Sequence, residues 1–255
     1  MDVIYHIKPM LTAWGIILSE SWSFARGAIF LAASRCFQLA TFFLPLKILI
    51  IVSSGIEPSY MEWFPWYIEL DNFVIMLICL VPIFYVFYIF CGILSRSGFD
   101  KSLVIFLNKR ELSEKHKSKN VAKLKKVHNH MGKAGAELVL IITSLFFISV
   151  LNYFLSIMTI SLILLSFYII LNTAMKMQDQ DRFGILKLHR RQCIEYGSSV
   201  NFILMFVGIL TCVKYFDVGV IEAIFILLVS RMLFQSFQRY CVELLYINTN
   251  DVQKV

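Results

Sequence analysis

The chain has 255 residues, of which 58 % are hydrophobic and 16 % charged, with a net charge of +7 and a mean hydropathy of +0.73. An ordinary soluble domain is roughly 45–50 % apolar and about 25 % charged. A globule of this size could not cover so much apolar surface, which excludes a simple soluble domain and makes lipid the solvent for part of the chain. No Gly/Ser/Pro-rich linker divides the sequence, so one domain is expected.

The N-terminal region carries Asp2 and Glu20 around a short apolar stretch, Met10 to Leu18. It lacks the basic start and small-residue cleavage site of a signal peptide, so it is expected to stay on the protein. Trp14 and Trp22 precede the first long apolar run, and Trp63 and Trp66 follow it. Indole rings favour the headgroup level, so Met10 to Ser23 reads as an amphipathic helix on the inner interface, turning inward at Arg26-Gly27. A disordered polar tail is the alternative; Trp14, Ile16, Ile17 and Leu18 fit it poorly.

A helix needs about 20 mostly apolar residues to cross a hydrocarbon core of roughly 30 Å. Six stretches meet this: Ala28–Val52, Phe73–Leu94, Ala136–Phe154, Ile157–Ala174, Ile194–Val213 and Gly219–Tyr240. No charge occurs between Glu137 and Lys176, and at about 1.5 Å per residue that run is twice one crossing. A hairpin near Asn152 and Tyr153 resolves it. The expected organisation is therefore all-α and polytopic. An interfacial helix over residues 1–27 is followed by a six-helix membrane domain over 28–247 and a short tail over 248–255. Cytoplasmic loops are expected at 95–135 and 175–193.

Eleven Lys and Arg lie from Arg96 to Lys133 and five more from Lys176 to Arg191. The opposite side has none from Ser53 to Asn72, none in the Asn152 hairpin, and only Lys214 before the last span. The positive-inside rule then puts both termini and the basic loops in the cytoplasm. The expected location is a cell membrane, with a bacterial inner membrane as the specific expectation.

Leu103, Phe106 and Leu107, and then Val121, Leu124 and Val127, have helical spacing. They predict two cytoplasmic helices that continue the second and third spans and join around Leu112–Ser118. The lysines of this loop read first as the topological signal on a solvated face, and second as a surface for anionic headgroups. Nucleic acid is not an expected partner, because no aromatic residues interleave the lysines to stack bases. His128 and His130 point to different helix faces, so no metal site is expected.

The six cysteines are scattered, with no C-x-x-C, and read as small apolar residues in or near spans. Met131-Gly132-Lys133-Ala134 lacks both the first glycine and the hydroxyl residue of a phosphate-binding loop, and neither H-E-x-x-H nor G-x-S-x-G occurs. No catalytic residues and no cofactor are expected.

A charge at membrane depth costs roughly 3 kcal/mol on insertion scales, so it usually faces protein or water. Arg35 lies about 12 Å into the first span, and Arg231 in the last span is at a similar depth. Gln38 shares a face with Arg35; Gln235 and Gln238 share one with Arg231. These five residues are candidates to line a cytoplasm-facing cavity for an anionic or amphipathic substrate. The competing reading makes the arginines structural, capped by carbonyls or paired with Glu137 or Glu243. Lys47 is expected to snorkel and Pro45 to kink the first span. The aromatic run Phe84, Tyr85, Phe87, Tyr88 and Phe90 reads as lipid-facing and packing surface, with cargo stacking as the lesser alternative.

The order of elements resembles the transmembrane half of a type I ABC exporter. Ala40-Thr41-Phe42-Phe43-Leu44-Pro45-Leu46-Lys47 is similar to the proline-containing outer half of that family's first helix. Leu103 through Leu140 resembles its first intracellular loop, and Phe216-Asp217-Val218-Gly219-Val220 its turn before the sixth helix. The resemblance implies that the first and sixth helices border a cavity and that a second copy or a relative completes a dimer. Two departures bear on coupling. No nucleotide-binding domain follows the sixth span, so any ATPase is expected on a separate chain, and the loop from Met175 to Gln192 is shorter than the family's docking loop. The competing expectation is a non-transporting scaffold or sensor that recruits a soluble cytoplasmic partner.

Overall fold

A computed structural model of the chain describes residues 22–55, 69–111, 118–177, 182, 187–216 and 219–249. The interfacial segment expected from Met10 lies outside these residues except for Trp22 and Ser23, as do Trp63 and Trp66. Six helices and no strands are present among the described residues: α1 (Trp22–Ser54), α2 (Leu70–Glu111), α3 (Ser118–Leu151), α4 (Tyr153–Asn172), α5 (Arg190–Tyr215) and α6 (Val220–Thr249).

Five of them, α1 through α5, contain stretches long and apolar enough to cross a membrane. Their outward faces carry bare apolar side chains, among them Leu49 at 70 %, Val150 at 68 % and Leu164 at 63 % exposure. Such a surface is stable only against lipid. The chain is an all-helical, multi-pass membrane protein. The sixth expected span falls on α6, which is 30 residues long. Its middle carries Arg231, Gln235, Gln238 and Arg239 and is the most polar stretch within the six expected spans.

The charge-free run divides as expected. Helix α3 ends at Leu151 and α4 begins at Tyr153, so one residue separates them. Asn152 has extended backbone and its side chain accepts a hydrogen bond from the Leu155 N–H at 3.0 Å. With no Gly or Pro available, the amide side chain starts the new helix by satisfying one of its free N–H groups. At the other end of α4, Arg190 at the start of α5 donates from Nε to the Ala174 carbonyl at 3.0 Å. That bond ties the two ends of the second basic loop together.

The helix α2 is 42 residues long, about 63 Å by helical rise, and α3 begins well before its apolar stretch. Both helices therefore run on past the bilayer, as the spacing of Leu103, Phe106 and Leu107 predicts. The extensions are packed. Phe24, Phe106, Met131 and Ile247 form a buried cluster there, and His128 lies between the rings of Phe24 and Phe106. The His128 Nε2 is 3.1 Å from the Ser102 hydroxyl, whereas His130 turns to Glu243 at 2.5 Å.

Helix α1 packs most extensively on α2, and α3 on α6, with α1 also touching α3. The main apolar core joins Ile148 of α3, Leu155 of α4, Met205 and Ile209 of α5, and Ile226, Leu233 and Phe234 of α6. Two side-chain to backbone bonds fasten α1 to α2: Ser34 to the Tyr88 carbonyl and Ser95 to the Gly27 carbonyl, each 2.9 Å. Helix α1 continues unbroken through Pro45. All six cysteines are free, and all lie on helices.

Candidate functional site

The first two helices and the last border an open cleft of about 790 Å³. Each contributes a stripe at helical spacing. Helix α1 supplies Arg35, Gln38, Leu39 and Phe42; α2 supplies Tyr85 and Tyr88; α6 supplies Leu228, Arg231, Met232, Gln235 and Arg239. Apolar and aromatic walls thus surround three guanidinium groups and two side-chain amides.

The counter-charge comes from α3. Glu137 is buried at 1 % exposure, and its Oε1 accepts hydrogen bonds from Arg35 and from the Arg239 Nε, the latter at 2.8 Å. Arg239 also reaches the Ser236 hydroxyl at 3.3 Å. The second carboxylate oxygen of Glu137, Oε2, is buried with no hydrogen-bond partner among the described residues. One carboxylate facing three arginines leaves an excess of two positive charges around the cleft.

Of the five residues expected to bind substrate, Arg35, Gln38, Arg231 and Gln235 share this cleft. Gln238 does not. It lines an adjoining cleft of about 460 Å³ with Lys126, His130, Lys133 and Glu243. Arg239, the next residue, lines both clefts, so the two adjoin along α6. The alternative of structural pairing applies to Arg35, which Glu137 holds, and Glu243 is engaged by His130. It does not extend to Arg231, which makes no hydrogen bond or ion pair among the described residues and faces outward on α6.

Sequence reasoning missed Arg239 and gave Tyr85 and Tyr88 a cargo role only as the lesser alternative. Arg239 was legible, because Arg231, Gln235 and Arg239 repeat every fourth residue. The tyrosines were not, because lipid-facing and cleft-facing aromatic residues give the same pattern in one helix. Phe87 and Phe90 beside them are exposed on the outer surface, as expected for lipid contact. Against protein-family models, curated proteins and solved structures, the chain has no match.

Proposed function

We propose that this chain is a six-span membrane subunit of a transporter that binds an anionic, amphipathic molecule in the arginine-lined cleft. In this reading α6 is the sixth crossing, both termini and the basic helix extensions are cytoplasmic, and a second copy or a relative closes the open side of the cleft. The resemblance to an ABC exporter membrane domain fits a cavity bordered by α1 and α6, with any ATPase on a separate chain.

The observation that carries the proposal is Arg231. A full positive charge in the middle of a spanning helix is costly in hydrocarbon, so it needs water, protein or a ligand to face. Arg35 and Arg239 have Glu137; Arg231 has an open cleft. The neighbouring Gln38 and Gln235 offer hydrogen bonds, and Phe42, Tyr85, Tyr88 and Met232 offer apolar surface. That combination suits a ligand with an anionic head and an apolar body.

The test is purification in a mild neutral detergent followed by native mass spectrometry of the intact complex. An anionic amphiphile should accompany the wild-type protein and be lost from Arg231→Gln, while the yield and elution of the variant are unchanged. A wild-type protein that retains no anionic molecule, and that gains no ATP-hydrolysing partner in pull-downs, counts against transport. A second reading is a scaffold that recruits a soluble partner; the long extensions of α2 and α3 favour it, since they expose Lys101, Lys125 and Lys126.

A further inference from the structure

We propose that Glu137 is an internal competitor for the cleft's ligand: its carboxylate occupies Arg35 and Arg239 when the cleft is empty, and one phosphate monoester group takes them from it. The proposal rests on the cleft being a ligand site, and it adds a residue that sets how tightly the site binds.

Three features of the geometry point to it. The two arginines reach Glu137 from different helices, α1 and α6, and both meet the same oxygen. Arginine–carboxylate pairs are frequently bidentate, using both oxygens; here Oε2 is buried and unpartnered among the described residues, so the pairing is incomplete. The two sides of each contact also differ in access. The Glu137 side chain is 2 % exposed, while those of Arg35 and Arg239 are 26 % and 42 % exposed. A ligand in the cleft can therefore reach the arginine side chains but not the carboxylate that holds them.

The chemical class follows from charge and walls. An excess of two positive charges matches a doubly charged phosphate monoester better than a carboxylate, and three guanidiniums suit its several acceptor oxygens. The same dianionic phosphate head occurs as a monoester on a lipid such as phosphatidic acid and, without the ester, as free inorganic phosphate, and the experiment separates them. A ligand anion and Glu137 repel one another and compete for the same donors, so affinity is held down by the carboxylate.

Short-chain phosphatidic acid, short-chain phosphatidylcholine and inorganic phosphate are each titrated into the purified full chain in neutral micelles. Glu137→Gln should bind the phosphate monoester about tenfold more tightly than wild type, and Arg231→Gln about tenfold more weakly. Tightening for phosphatidic acid alone assigns a lipid; equal tightening for inorganic phosphate assigns a soluble anion; both support the competitor. Unchanged or weaker binding by a folded Glu137→Gln, with Arg231→Gln still weakened, overturns the competitor and leaves the cleft reading standing. Wild type that binds neither phosphate probe overturns both. Should Glu137→Gln fail to fold, infrared difference spectra of wild type and Glu137→Asp decide. Ligand should shift a glutamate carboxylate band in wild type and an aspartate band in the variant, and the absence of any carboxylate change overturns the proposal.

Discussion

Gly98 of α2 meets Gly27 of α1 so closely that a Cβ added to Gly98 would lie 2.9 Å from the Gly27 Cα and 3.1 Å from its nitrogen. Small residues let helix backbones approach in a membrane, where packing and not water exclusion drives association. The contact lies on the same two helices that contribute cleft walls, eight residues before Arg35 on α1 and ten after Tyr88 on α2. Gly98→Ala is expected to force α1 and α2 apart and to cost about 1–3 kcal/mol, read as a lower unfolding temperature in detergent. Gly197 is the control. A Cβ there meets nothing within 4 Å, and alanine is the better helix former, so Gly197→Ala should be neutral or slightly stabilising.

The threading of the chain has its own test. In a background with the six native cysteines replaced, Asn152→Cys should react with an impermeant thiol reagent added outside the cell. Lys126→Cys should react only after the membrane is opened. The physical reason is the lysine and arginine asymmetry between the two ends of α3. Labelling of both positions from one side would remove the proposed orientation, and with it the cytoplasmic placement of the helix extensions.

Much of this architecture is legible in the sequence because the bilayer imposes a length. The stretch from Glu137 to Lys176 had to fold back, and Asn152 is where it does so. The spacing of Leu103, Phe106 and Leu107 likewise foretold that α2 outruns the membrane. The pairing of Glu137 was less accessible. Arg35, Arg231, Arg239 and His130 were all available to it or to Glu243, and the choice depends on how α1, α3 and α6 are rotated against one another. Gln238 shows the same limit from the other side. Its spacing puts it on the face of Arg231, yet it lines the neighbouring cleft, and only Arg239 beside it reaches both.

Asn152 offers a prediction at the hairpin itself. Its side chain is the N-cap of α4, and the turn has no glycine or proline to define it otherwise. Asn152→Ala should cost about 1 kcal/mol, whereas Asn152→Asp and Asn152→Ser, which keep an acceptor, should recover most of that loss. Equal destabilisation by all three would mean that the cap bond contributes little and that flanking apolar packing alone sets the turn.

The last prediction concerns a polar contact buried between α4 and α5. The Ser166 hydroxyl donates to the Asn201 Oδ1 at 2.8 Å, and the Asn201 Nδ2 is buried without a partner among the described residues. Removing only the serine hydroxyl leaves a second group of the asparagine unsatisfied, while removing both polar partners leaves none. Ser166→Ala should therefore destabilise the purified protein more than the double variant Ser166→Ala with Asn201→Leu. Hydrogen bonds between membrane helices contribute about 0.6 kcal/mol on average, so the coupling in this cycle should be of that order. A double variant that loses the sum of the two single losses would show that the two side chains act independently.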